Sequence, residues 1–249
     1  MAGNTRDPGA SVTGRVMAVL SCFSVARPQL TLTEIAAGSG LPLSTARRIV
    51  AELEELGALE RLIDKRYRVG IRLWQIGAVA PQQRGLREAA LPYMHDLYEA
   101  TQENVQLCVI DGLQALCIEK ISHSRAVVTL TEVGGRLPLH ATAVGKCLLA
   151  FSSADLFRQI VEHGLARHTR YTVVEPGPLS RSLRETRRTG LAYSREEMSA
   201  GAVSVAAPII APGGMLRGAL GIVMKYTSQP DRVASAVRTA ALGISRASG

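Results

Sequence analysis

The chain is poor in aromatic residues, and it lacks any long apolar run. Aromatic side chains make up 4% of its 249 residues, so the cores that its 47% hydrophobic content supports must be built mainly from Leu, Val, Ile and Ala. No uninterrupted apolar stretch reaches the ~18 residues that a bilayer span requires. The opening MAGNTRDPGASVTGR has no apolar segment of the signal-peptide kind. These absences predict a cytoplasmic protein without a membrane partner, whose first 11 residues are disordered.

Cysteine is also scarce, and its spacing argues against both a redox motif and a metal site. The four cysteines, which form no CxxC pair, are Cys22, Cys108, Cys117 and Cys147. Each stands among apolar residues, which predicts buried, reduced thiols in a cytosolic protein. His163 and His168 do not provide zinc-ligand spacing with the cysteines. We therefore predict no metal and no cofactor.

Catalytic constellations are missing as well. His140 and Cys147 invite comparison with a nucleophile and its base, but they lie seven residues apart and no third, orienting group is evident. The stretch 143–146 lacks the glycine spacing of a phosphate-binding loop. We predict that the chain is not an enzyme. The alternative, a sensor-like domain that converts its ligand, stays open at this stage.

The charge is basic but spread out. The formal net charge is +8, yet residues 1–70 hold nine Lys/Arg and seven Asp/Glu, a net of only +2. A basic balance permits a polyanionic partner without demonstrating one. Any nucleic-acid hypothesis must therefore depend on the local arrangement of charges.

That local arrangement is found near the N-terminus. Apolar positions from Val16 to Phe23 predict a first helix that ends at Arg27 and Pro28, and Thr31 and Glu34 form a capping box for a second. A third helix begins at Leu41-Pro42 and ends before Gly57. The alternation around Asp64-Lys65 predicts a β-hairpin with a basic tip.

Three short helices followed by a basic hairpin are typical of a winged helix-turn-helix, whose third helix enters the DNA major groove. The third helix is basic in its N-terminal half and acidic later, as groove insertion requires. The alternative, without DNA binding, is a small helical bundle whose arginines are merely solvated. The predicted DNA-contacting residues are Ser44, Thr45, Arg47, Arg48, Arg61, Lys65 and Arg66.

The remainder mixes strands and helices. A helix is predicted over 82–103, interrupted by Pro92, and strands flank the Asp111-Gly112 turn. A third strand is predicted over 126–133, then three helices, three more strands and a last helix from about Asp231. This order predicts an α+β domain with an antiparallel sheet. The domain boundaries are 12–74 for DNA binding, 75–103 for a linker and dimerisation helix, and 104–249 for an effector domain.

Two segments resemble the IclR family of bacterial transcriptional regulators. The stretch from Gly135 to Lys146, which reads GRLPLHATAVGK, is close to the most recognisable family segment. The stretch from Glu196 to Ile209, with Gly201 and Ser204-Val205-Ala206-Ala207-Pro208, is similar to the second. The N-terminal stretch Leu32–Thr45 also looks like the helix-turn-helix of the family. The resemblance runs from about residue 12 to residue 247.

The resemblance implies a regulator, either a repressor or an activator of a catabolic operon, with a winged helix-turn-helix joined by a linker helix to a GAF-like effector domain. It further implies dimers, or tetramers built as dimers of dimers, and a small organic or aromatic carboxylic acid as effector. The candidate effector-binding residues, for each of which plain core packing is the alternative, are Thr142, Ala143, Val144, Gly145, Met198, Ser204, Leu220 and Ile222.

The chain departs from the family pattern at two places. Ser194-Arg195 replaces an acidic pair that often precedes Glu196-Glu197, and residues 221–224 read Gly-Ile-Val-Met where some members place serine. From these departures we expect a more apolar pocket, which favours an aromatic or hydrophobic acid over very small acids.

Overall fold

A computed structural model describes residues 11–24, 26–79, 81–122 and 131–248, without the side chains of residues 81–84. The expected disorder of the N-terminus and most of the strand expected over 126–133 lie outside these residues. The chain divides into two compact units, Met1–Pro81 and Gln82–Gly249. In the described part of the chain, no helix is long and apolar enough to cross a membrane.

The first unit combines helices with a small antiparallel sheet. Its helices are α1 (Val12–Leu20), α2 (Leu32–Ser39), α3 (Leu43–Glu55) and α4 (Ile71–Gly77), and its strands are β1 (Gln29–Leu30), β2 (Leu59–Arg61) and β3 (Tyr67–Val69). The strands lie in the order β1-β3-β2. Strands β2 and β3 form the expected wing hairpin, whereas β1 and α4 were not expected from the sequence.

Local chemistry sets the ends of these helices. The capping box is present: Glu34 N donates to Thr31 Oγ1 at 3.3 Å, and Thr31 N donates to Glu34 Oε2 at 2.8 Å. Pro42 is the residue just before α3, not part of its first turn. Helix α1 ends at Leu20, before the expected Arg27 and Pro28, because the chain turns after Ser21 to enter β1. The helices and β-hairpin enclose one apolar core that includes Val19, Ile35, Ile49, Leu53 and Leu59.

The second unit is built on a six-stranded antiparallel sheet. Its strands are β4 (Asn104–Asp111), β5 (Gln114–Ile121), β6 (Arg136–Pro138), β7 (Ala192–Arg195), β8 (Ala202–Ile210) and β9 (Leu216–Lys225). Its helices are α5 (Pro81–Thr101), α6 (Ala143–Ala150), α7 (Ala154–His163), α8 (Pro176–Thr189) and α9 (Asp231–Ala247). The strands lie in the order β6-β5-β4-β9-β8-β7, which confirms the α+β class and the antiparallel sheet.

A separate hydrophobic core lies against each face of the sheet. On one face, α5 and α9 pack through residues such as Leu86, Met94 and Val237. On the other face, α6, α7 and α8 pack through residues such as Leu149, Ile160 and Leu179. Successive residues of a strand point to opposite faces, so the parity of a strand position decides which core a side chain joins.

Some sequence boundaries differ from the structure. Residues 131–133 form no strand, and β6 lies a few residues later. Helix α8 begins with Pro176, which is possible because proline is tolerated in a first turn. The segment 75–103, expected as one linker, is divided between α4 and α5, and α5 supplies Leu86, Ala90, Met94 and Leu97 to the core of the second unit. Of the four cysteines, Cys22 is only partly buried, while the other three are buried thiols.

Candidate functional site

Helix α3 presents its polar side chains to solvent and its apolar side chains to the core. Ala46, Ile49, Val50 and Leu53 are buried. Ser44, Arg47 and Arg48 are exposed and Thr45 is half-buried. Arg48 Nη1 lies 3.5 Å from Glu52 Oε1 one turn later, so part of its charge is neutralised. Arg47 has no ion pair within the described residues, which leaves its guanidinium available to a phosphate or a base edge.

The wing carries three of the predicted DNA-contacting residues near its turn. Lys65 adopts a left-handed backbone conformation with φ of 66° in that turn, and Arg66 Nε lies 3.7 Å from Asp64 Oδ2. The guanidinium of Arg61 lies over the Tyr67 ring, 5.8 Å from its centroid. All three basic side chains are exposed. The structure therefore brings Arg61, Lys65 and Arg66 together on one hairpin.

A small cavity opens in the second unit between the α6 side of the sheet and the β7–β8 loop. Its volume is about 40 Å³. The described residues that line it all have neutral side chains: Gln106, Thr131, Leu137, Thr142, Ser194, Met198, Ser199, Ala202, Ser204 and Val223. Three of the predicted effector residues, Thr142, Met198 and Ser204, meet here. Thr142 is the residue just before α6, Met198 lies in the β7–β8 loop, and Ser204 lies on β8.

Three other predicted residues stand just behind this wall. Ala143 and Val144 are packed into the core beneath α6. Gly145 N donates to Thr142 Oγ1 at 3.0 Å, closing the first turn of the helix. A Cβ at Gly145 would lie 2.6 Å from Pro138 O, so only glycine permits this close approach. These residues therefore shape and hold the cavity, but their side chains do not line it.

The remaining two predicted residues lie on the wrong face of β9. Leu220 and Ile222 are fully buried in the core against α5 and α9. Strand alternation directs Gly221 and Val223 to the opposite face, where a Cβ at Gly221 would lie 2.7 Å from Val144 Cγ1 and Val223 lines the cavity. Leu220 and Ile222 therefore do not line the cavity, and we do not retain them as effector contacts.

Sequence reasoning missed the polar residues Gln106 and Ser194. Both are buried, and each occupies a strand position whose neighbours point to the opposite core. A polar residue at such a position in an otherwise apolar strand was the available signal. These residues and Thr131 add polar groups to a lining that also contains apolar side chains, among them Leu137 and Val223.

A buried ion pair lies one helical turn from the cavity. Lys146 Nζ donates to Glu197 Oε1 at 2.6 Å, and Lys146 follows Thr142 by one turn of α6. Burial lowers the pKa of Lys146, and the Glu197 carboxylate opposes this shift. His140 Nε2 lies 2.9 Å from Ala166 O, and burial lowers the pKa of His140. Neither the ion pair nor His140 is among the described residues that line the cavity.

Met198 and Ser199 separate the cavity from an outer groove. Both residues line the cavity and also an open groove formed with His168, Thr169, Arg170, Tyr171, Glu196 and Ala200. The base of their loop is held by Thr169 Oγ1 and Thr172 Oγ1, which each donate at 2.6 Å to the carbonyl oxygens of Glu196 and Glu197. Met198 and Ser199 thus form a wall, two residues long, that the cavity and the groove share.

Comparison with known proteins agrees with this two-unit architecture. Residues 12–62 match the IclR helix-turn-helix domain, and residues 79–246 match the C-terminal domain of the bacterial transcriptional regulator IclR. The glycerol operon regulatory protein of Streptomyces coelicolor is 31% identical, covering 93% of this chain and 94% of that protein. The transcriptional repressor IclR of Escherichia coli is 28% identical, covering 80% and 77%.

A solved structure is similar over almost the whole chain. It is an IclR homologue from Microbacterium hydrocarbonoxydans complexed with 4-hydroxybenzoate, 34% identical with a TM-score of 0.89, covering 94% of this chain and 98% of that one. Fold and sequence together define a transcriptional regulator with a helix-turn-helix DNA-binding domain, not an enzyme. The chain belongs to the IclR family of bacterial transcriptional regulators.

Proposed function

We propose that this regulator responds to a small organic carboxylic acid that binds in the cavity of the second unit and changes operator affinity. The observation that carries the proposal is the convergence of Gln106, Thr142, Ser194 and Ser204 on one cavity. Enclosed sites with a few directed polar groups are typical of small-molecule binding. The similar Microbacterium structure contains 4-hydroxybenzoate, which supports an acid of this class.

The polar groups suggest how an acid is held. Among the residues that the structure describes, no charged side chain lines the cavity, so hydroxyl and amide donors must solvate the carboxylate. Ser194 Oγ already donates to Ala141 O at 3.0 Å, whereas Ser204 Oγ makes no hydrogen bond within the described residues. We therefore assign Ser204 as the principal donor. A ring as large as benzoate needs more than about 40 Å³, so Met198 and Ser199 must move outwards to admit it.

Operator binding is assigned to α3 and the wing. Ser44, Thr45, Arg47 and Arg48 would enter the major groove, and Arg61, Lys65 and Arg66 would contact the adjacent backbone. We propose that the operator controls a catabolic operon for the acid. A coupling free energy of ~1–3 kcal/mol between effector and operator is enough for a usable switch.

Self-association is assigned to α4. Leu73 packs against the core of the first unit, but Ile71, Trp74 and Ile76 are exposed, Trp74 by 68%. A short helix with its apolar side chains in water is better explained by a second copy of the chain than by a solvated surface. A dimer would place two recognition helices about one DNA turn (~34 Å) apart on a pseudo-palindromic site.

Fluorescence anisotropy tests the proposal. Labelled DNA from upstream of the gene is titrated with protein, with and without 4-hydroxybenzoate, over a salt series. Binding that weakens with salt, disappears in Arg47→Ala/Arg48→Ala and shifts by at least about fivefold with the acid supports it. Arg158→Ala, on an exposed part of α7, is the matched control. Operator affinity unchanged by saturating acid would contradict the coupling, and recovery of the acid unaltered separates binding from turnover.

A further inference from the structure

The six-stranded sheet splits at one end. Strand β4 pairs with β9 from Asn104↔Val223 to Cys108↔Ala219 and no further. By contrast, β4 continues its pairing with β5 as far as Asp111↔Gln114, and β8 with β9 as far as Ile210↔Leu216. The tips of the β4–β5 and β8–β9 hairpins therefore diverge. Residues 109–111 and residues 216–218 therefore do not pair with each other through backbone hydrogen bonds.

A cleft occupies this split. Its volume is about 220 Å³. One wall is formed by Val109 and Ile110 and the other by Met215, Leu216 and Arg217, with Leu86 of α5 and Leu148 of α6 completing the lining. In the part of the chain that the structure describes, the cleft shares no lining residue with the cavity assigned to the effector. It is larger than that cavity, whose volume is about 40 Å³.

Arg217 is the single charged group among the described residues that line the cleft. It makes no ion pair or hydrogen bond within the described residues. The carboxylate of Asp111, the last residue of β4, pairs with Arg136. A half-buried guanidinium beside apolar walls gains most from a planar anion, since bidentate Arg–carboxylate pairs are among the stronger charge-assisted hydrogen bonds.

We propose that this cleft is a second small-molecule site, for a monocarboxylate with an apolar body about the size of one aromatic ring. The carboxylate pairs with Arg217, and the ring lies between Val109 and Leu216 with one edge on Leu86. The free backbone edges of the two strands offer N–H donors to the second carboxylate oxygen. Glycines at 213 and 214, with φ of 96° and 86°, form the loop that carries Met215 at the cleft mouth.

Benzoate is the test probe, and benzamide is its neutral counterpart. Calorimetry on the full chain measures stoichiometry and affinity for both. The variant Arg217→Gln removes the cation and keeps most of the length, and Arg232→Gln on α9 is the matched control. The variant Met215→Trp fills the cleft from a residue that is 59% exposed, so its folding is not in question. The variant Ser204→Leu blocks the other cavity.

The expected result is two benzoates per chain. Arg217→Gln should weaken one of the two sites by about tenfold or more, Met215→Trp should abolish the same site, and Ser204→Leu should remove only the other. Crystals grown with 4-iodobenzoate should show an iodine peak beside Arg217. Equal affinity for benzamide, or one benzoate per chain whose affinity Arg217→Gln and Met215→Trp leave unchanged, would overturn the proposal. A change of oligomeric state in Met215→Trp would overturn it in favour of a contact between copies.

Each site has its own variant, so the experiment distinguishes a failure of the effector cavity from a failure of the second site in the cleft. Loss of all benzoate binding in Ser204→Leu overturns the second site and leaves the proposed effector cavity intact. Binding that survives in Ser204→Leu but not in Arg217→Gln supports the second site and contradicts the first.

Discussion

Lys146 and Glu197 form an ion pair in the interior, with 2.6 Å between Nζ and Oε1 and exposed side-chain fractions of 3% and 10%. The other carboxylate oxygen of Glu197 is buried and has no hydrogen-bond partner within the described residues. Lys146 lies on α6 and Glu197 precedes the Met198–Ser199 wall, so the pair connects both sides of the cavity. Breaking a buried pair leaves an uncompensated charge, whereas replacing both partners removes two desolvation costs.

We therefore expect Glu197→Gln to destabilise the second unit by about 3–5 kcal/mol. The double variant Lys146→Met/Glu197→Leu should recover most of this loss. Urea unfolding followed by circular dichroism measures both free energies of unfolding. If Glu197→Gln is as stable as the unaltered chain, the ion pair does not contribute to stability.

His140 predicts a pH dependence of stability. Burial lowers its pKa below the usual 6.5, and the nearby positive charges of His168 and Lys146 add to the shift, while the Ala166 carbonyl and Glu197 oppose it. The unfolded chain therefore takes up this proton at a higher pH than the folded chain. Stability is full above about pH 6.5 and falls as the pH drops towards the lowered folded pKa, by up to about 1.4 kcal/mol per pH unit.

The measurement is the free energy of unfolding between pH 7.5 and pH 5 in steps of half a unit. His140→Gln should flatten the slope in this range. His95→Gln, which alters an exposed histidine of α5, should leave it unchanged. A slope that is the same in both variants would assign the pH dependence to other groups.

Much of this architecture could be predicted from the sequence, because capping, turn and alternation signals are local. The Thr31–Glu34 box, the Asp111-Gly112 turn and the wing hairpin all lie where the sequence indicated. The pocket could be predicted only in part. The assignment of Leu220 and Ile222 rested on a strand whose two faces are both apolar, so hydrophobicity could not decide which face meets α6. Tertiary contacts likewise decide which face of β4 meets the cavity, so the sequence alone could not place Gln106 there.

Arg47 and Arg48 should differ in their contribution to operator binding. Arg47 has no ion pair within the described residues, whereas Arg48 already pairs with Glu52. Arg47→Ala should weaken binding by ~1–3 kcal/mol if it reads a base, with relaxed specificity at one position. If it contacts a phosphate, the slope of log affinity against log salt should instead decrease by about 1. Arg48→Ala should cost less, and equal losses in the two variants would contradict this ranking.

Ser204→Ala should weaken the affinity for 4-hydroxybenzoate while leaving the fold intact. The hydroxyl lines the cavity and makes no other hydrogen bond within the described residues, so its removal costs about 0.5–1.5 kcal/mol, or roughly two- to tenfold in dissociation constant. Calorimetry measures the change. Ser182→Ala on α8 provides a control outside the cavity. If Ser204→Ala binds the acid with unchanged affinity, the acid does not bind against Ser204 of β8.

The single tryptophan reports on self-association. Trp74 is the one tryptophan of the chain, and it is 68% exposed on α4. If α4 packs against a second copy, the indole leaves water, and its emission should shift to shorter wavelength as protein concentration rises. Ile71→Glu should abolish the shift and reduce the mass measured by sedimentation, because a buried unpaired carboxylate opposes association. Leu242→Glu, at an exposed apolar position of α9, should leave both unchanged. An emission maximum that does not depend on concentration, together with an unaltered mass in Ile71→Glu, would place the contact between copies elsewhere.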